Sequence, residues 1–100
     1  MERWLNEDMK TLFQALLCLE TEDECRRLLE DLCTIKELGD MAQRLHIARL
    51  LRADASYAAI NQETGISTAT ISRVSRCLDY GAGGYELVLE RLERQGTRHG

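Results

Sequence analysis

The 100-residue sequence has no proline, so nothing in it forces a break in a helical pattern, and its seven glycines are the only strong local punctuation. It also has no uninterrupted apolar run of the roughly 18 residues that cross a bilayer. Met1 leads into a charged amphipathic stretch rather than an apolar leader, which predicts a cytoplasmic protein with no membrane partner. Histidine occurs only at positions 46 and 99, and the cysteines at 18, 25, 33 and 77 have neither zinc-knuckle nor redox-motif spacing, so no metal is expected. Cys25 and Cys33 sit at helical spacing among leucines and read as small buried thiols in the reduced state. There is no Ser/His/acid or Cys/His set and no glycine-rich phosphate loop following a strand, and His46 alone lacks an orienting partner. An enzyme therefore ranks last among the functional classes.

With 44% hydrophobic and 30% charged residues and no long polar tract, the chain can build a core, and its length fits one domain, residues 1–100. A chain this short buries only about 60–65% of its unfolded surface, which makes pairing with a second copy a natural way to complete the core. The net charge of −4 argues against indiscriminate binding to phosphate. Its distribution is uneven: residues 1–43 carry 5 basic and 11 acidic side chains, residues 44–78 carry 5 and 2, and residues 79–100 carry 3 and 4. The middle third is the electropositive part.

Apolar residues recur at three- and four-residue spacing throughout, and nothing has the two-residue alternation of a half-buried strand, so six helices and no sheet are expected. Leu5, Met9, Leu12, Phe13, Leu16 and Leu17 mark the first helix, with Asn6 in capping position. Thr21 with Glu24, and Thr34 with Glu37, have the form of capping boxes that open the second and third helices. The third continues through Leu38, Met41, Leu45, Ala48 and Arg52, with a bend expected at Gly39. Ile47, Leu50 and Leu51 widen its apolar surface, as in a central helix touched from several sides. Ser56 caps a short fourth helix, Tyr57 to Glu63. Ser67 caps a fifth that ends near Leu78, and the turn Gly81-Ala82-Gly83-Gly84 precedes a sixth carrying Tyr85, Val88, Leu89 and Leu92. Residues 95–100 are expected to fray.

Residues 56–78 form the informative constellation. Two short helices crossing steeply need a corner residue that tolerates a left-handed backbone, and Gly65 supplies it. Ile60, Ile66, Ile71 and Val74 are the inward set, and only Asn61 departs from the small residue expected at the crossing. This is a helix-turn-helix pattern, whose second helix enters the major groove with short or polar side chains. Thr68, Ala69, Thr70 and Ser72 meet that demand as base-facing residues. Arg73, Arg76 and Tyr57 are candidates for phosphate, and Ser67 lies at the helix start where phosphate approaches. Arg73 has a second reading as a partner for an acid on a neighbouring helix. Arg44, Arg49 and Arg52 are further, weaker candidates for the backbone. The plain alternative is a solvent-exposed polar helix without function.

The stretches Leu32-Cys-Thr-Ile-Lys-Glu-Leu38, Gln43-Arg-Leu45, Leu50-Leu51, Ser56-Tyr57, Thr64 through Gly81, and Gly84-Tyr85 resemble the Trp repressor superfamily, and within it the TrpR-like YerC/YecD family. The resemblance spans nearly the whole chain. It implies an all-α, six-helix fold in which N-terminal helices, about residues 4–53, interlock two chains as an intertwined homodimer, each projecting a DNA-reading head. It further implies that Arg73 matches an arginine that helps hold a tryptophan corepressor. Two departures argue against tryptophan as effector. Val74 stands where a glycine leaves room for the indole, and Cys77 stands where a serine receives the amino group.

The sequence thus points to a dimeric transcriptional regulator, a repressor by resemblance, acting on double-stranded DNA with a palindromic operator. The competing reading, from the negative net charge and the two arginines of the reading helix, is a helical dimerisation or protein-interaction module that has lost DNA binding.

Overall fold

The computed structural model describes residues 4–99, with side chains described through Gly96. Six helices follow one another: α1 (Glu7–Leu17), α2 (Glu22–Leu32), α3 (Ile35–Arg52), α4 (Tyr57–Thr64), α5 (Thr68–Tyr80) and α6 (Gly84–His99). No strand occurs among the described residues.

Side-chain caps set the starts of five of these helices. Asn6 Oδ1 accepts from the Met9 N–H at 2.9 Å. Thr21 Oγ1 accepts from the Glu24 N–H at 3.1 Å, while the Glu24 carboxylate reaches one residue beyond the cap, to the Glu20 N–H at 2.8 Å. The second box is fully reciprocal, with Thr34 Oγ1 on the Glu37 N–H at 3.0 Å and the Glu37 carboxylate on the Thr34 N–H at 2.8 Å. Ser56 and Ser67 cap α4 and α5 through the N–H groups of Ala59 and Thr70. Each such bond satisfies an orphan donor at a helix start.

Three helix ends and one expected bend differ from the sequence expectation; α4 ends at Thr64, one residue past Glu63. α5 runs two residues past Leu78, to Tyr80, because Gly81 rather than Leu78 supplies the stop, its N–H bonding the Cys77 carbonyl. α6 continues through His99 instead of fraying from Gln95, with Gly100 outside the described residues. α3 is one unbroken helix through Gly39.

The chain divides into two compact units, one ending at Leu38 and one beginning at Gly39. In the first, α1 and α2 have no buried residue, and Trp4, Leu12, Phe13, Leu16, Leu17, Leu32 and Ile35 are all exposed. Cys25 and Cys33 are half-buried rather than buried, because the face they share has no core above it, and all four cysteines are free.

The second unit contains the core. Ile47 and Ala48 of α3, Ile60 of α4, Ile66 of the turn, Ile71 and Val74 of α5 and Leu89 of α6 form one buried cluster, flanked by Leu45, Leu50, Leu51, Ala55, Leu78 and Tyr85. Each fully buried isoleucine contributes about 1.5–3 kcal/mol relative to exposure. α5 packs on both α4 and α6, so the helix carrying the candidate site is fixed from two sides.

Candidate nucleic-acid interface

The turn between α4 and α5 is closed by a compact set of bonds. Gly65 adopts φ +75° and its N–H bonds the Asn61 carbonyl at 2.8 Å. The Thr64 hydroxyl donates to the Ile60 carbonyl at 2.6 Å and accepts from the Ile66 N–H at 3.1 Å. Asn61, the residue that departs from the expected small side chain, donates from its amide to the Ile66 carbonyl at 2.7 Å. It therefore serves the turn with a hydrogen bond where a smaller residue would serve it with space. All four residues of the expected inward set, Ile60, Ile66, Ile71 and Val74, are buried.

Ile71 and Val74, buried, and Leu78, half-buried, lie on one side of α5 and define the opposite side. At about 100° per residue, the midline of that outward side runs through Ala69, Arg73, Arg76 and Tyr80. Ala69, Arg73 and Arg76 are exposed, and Ser72 is half-buried beside them. Thr68 is exposed at one margin. Thr70 is half-buried at the other, its hydroxyl receiving the Ser67 hydroxyl at 3.1 Å. Ser67 itself is occupied in capping α5. Tyr57, the first residue of α4, is 40% exposed.

The arginines divide into two groups. Arg73 and Arg76 make no ion pair or side-chain hydrogen bond among the described residues, so the reading of Arg73 as partner of a neighbouring acid is not realised in this chain. Arg52 is different. It is only 23% exposed and joins Glu86 and Glu93 of α6, with Nε 2.9 Å from the Glu93 carboxylate. These bonds, Glu93 first, hold its pKa above the ordinary arginine value. Arg52 is thus removed from the candidates for DNA backbone, because α6 brings it two carboxylates from 34 and 41 residues downstream. Arg44 and Arg49 remain exposed on α3.

Two cavities adjoin α5. One, of about 260 Å³, is lined by Asp40, Gln43 and Arg44 of α3 and by Thr70, Arg73 and Val74. The other, of about 440 Å³ and mainly apolar, is lined by Leu45, Cys77, the glycine-rich turn, Tyr85 and Val88. No single-residue signal in the sequence marks either, since each is assembled from segments far apart in the chain.

Two packed helices joined by a short turn closed on a left-handed glycine, the second solvent-facing on one side and backed by a shared core, have the arrangement of a helix-turn-helix. Residues 7–93 match the family described as Trp repressor protein, and the chain belongs to that family. It is 45% identical over 97 residues to YerC, an uncharacterised protein of Bacillus subtilis strain 168, covering 97% of this chain and 93% of that one. A crystal structure of a TrpR-like protein from Eubacterium eligens matches with TM-score 0.83 and 46% identity, over 88% of this chain and 91% of the other. A Staphylococcus aureus protein provisionally described as a Trp repressor matches with TM-score 0.85 and 41% identity, over 91% of each chain. The all-helical, Trp-repressor-like fold expected from the sequence is therefore the fold observed.

Proposed function

We propose that the protein is a sequence-specific DNA-binding transcriptional regulator, a repressor in the sense of its family, which acts as a homodimer on a palindromic operator. The observation that carries this reading is the outward side of α5. Two unpaired arginines stand there on a rigid helix whose sequence from Thr64 to Leu78 contains no acid, in a chain of net charge −4. Base contact is assigned to Thr68, Ala69, Thr70 and Ser72, and phosphate contact to Arg73, Arg76, Tyr57 and the Ser67 end of α5. The homodimer is supported by the first unit, which exposes apolar side chains and has no buried residue among those described. A second copy supplies the missing cover, and two-fold symmetry then places half-sites about 34–36 Å apart.

Tryptophan is not the effector in this reading. The family's corepressor needs space beside the reading arginine, and here Val74 is 3% exposed and belongs to the core, while Cys77 offers a thiol in place of a hydroxyl acceptor. Isothermal titration with L-tryptophan is expected to give no heat of binding; micromolar affinity would reverse this conclusion.

The decisive experiment is selection of duplexes from a random pool, followed by mobility shift. Recovery of a palindromic consensus is expected. If no duplex is retained even at about 50 mM salt, where phosphate contacts are strongest, the DNA-binding reading is wrong. The second reading, a dimerisation or protein-interaction module, is favoured by the small basic count of α5 and would then stand.

A further inference from the structure

We propose that Tyr80 is a further DNA contact, in which the phenol hydroxyl donates to the sugar–phosphate backbone at the far end of α5; this rests on the DNA-binding reading above. Three features carry it. First, Tyr80 is 85% exposed although it belongs to a helix whose opposite side is packed into the core, so its ring faces water rather than filling space. Second, helical geometry at about 100° per residue puts Tyr80 within roughly 30° of the line through Ala69 and Arg76, and four residues from Arg76, close enough for the two to share one partner. Asp79, the only acid in α5, is turned by about 100° from Tyr80, towards the margin of that side. Third, the backbone that presents the ring is held. Gly81 N–H bonds the Cys77 carbonyl at 2.9 Å, and a Cβ on Gly81 would meet that oxygen at 2.3 Å, so chain direction at Tyr80 is set by a close backbone approach.

Spacing decides what Tyr80 touches. It lies eleven residues beyond Ala69, about 16 Å along the helix axis at 1.5 Å per residue. With the N-terminal residues of α5 over base edges, Tyr80 lies at the end of the helix remote from them, where the partner is a phosphate oxygen of the backbone. The phenol is neutral, so this contact displaces no counterion, whereas Arg76 does.

The experiment compares wild type, Y80F and R76A as full-length protein on two probes: a duplex recovered by the wild type from a random pool, and a scrambled duplex of equal length. Affinity is measured at several salt concentrations and association state by sedimentation. Y80F is expected to weaken both probes by a similar factor, about tenfold for loss of a hydrogen bond to a charged group, with the log–log salt slope unchanged. R76A is expected to flatten that slope by about one per head. If wild type binds neither probe, the DNA-binding reading falls and Tyr80 falls with it. If wild type binds, R76A weakens it and Y80F equals wild type, the Tyr80 contact alone is refuted. A change in sedimenting mass for Y80F assigns the hydroxyl to packing between copies and also overturns the proposal.

Discussion

Gly65 and Gly81 both end helices, for different physical reasons that substitution separates. At Gly65 a Cβ would find open space, so only the left-handed backbone at φ +75° is at stake. Gly65→Ala should cost about 1–2 kcal/mol of stability in urea unfolding. At Gly81 the backbone is ordinary, but a Cβ would strike the Cys77 carbonyl at 2.3 Å. Gly81→Ala should therefore cost more, about 2–3 kcal/mol, since the last turn of α5 has to shift. Equal losses in the two variants would contradict this assignment. The corner at Gly65 was legible in the sequence because a positive φ selects for glycine locally. The role of Gly81 was not, because the atom it avoids becomes a neighbour only once α5 is extended past Leu78.

Capping is the element-scale feature that the sequence announced most directly, since each cap depends on residues three apart. Thr34→Ala should remove the acceptor for the Glu37 N–H and lower stability by about 1 kcal/mol, read by urea titration of helical circular dichroism. Ion pairs behave differently. Within α6, Arg94 holds the Glu90 carboxyl below its ordinary value of about 4.5. A carboxyl with a lower pKa in the folded state contributes above the ordinary carboxylate range, and that contribution disappears as pH falls through the folded value. Wild type should thus melt slightly above Glu90→Gln at pH 7, and the difference should shrink as the medium is acidified below the ordinary carboxylate range. Between α3 and α6, Arg52→Gln should lower the melting temperature in dilute buffer, and less so in 1 M salt, because Glu86 and Glu93 screen readily. A salt-independent loss would indicate that packing of the Arg52 stem, not its charge, holds α6 in place.

For the molecule as a whole, the apolar residues left on α1 and α2 are the dominant fact. Leu12, Phe13, Leu16 and Leu17 crowd an 11-residue helix with no buried position. In the proposed homodimer a second copy covers them and folding and association become one process, so the melting temperature should rise with protein concentration and the sedimenting mass should be twice 11.4 kDa. Leu16→Glu should shift the mass towards that of the single chain and lower the melting temperature. A concentration-independent melt at single-chain mass would remove the homodimer. DNA affinity should fall with the same substitution, since a single head engages one half-site.

Local order was determined by the sequence alone. Helix starts, the Gly65 corner, the four inward residues and the resemblance to the Trp repressors all rest on spacings of a few residues, at which neighbouring atoms are fixed by covalent geometry. Tertiary structure decided what depends on distant segments. It assigned Arg52 to Glu86 and Glu93 and left Arg73, Arg76 and Tyr80 in solvent. The physical reason is range: caps and turns are satisfied within one or two helical turns, whereas a long charged side chain takes whichever partner the packed helices bring within reach.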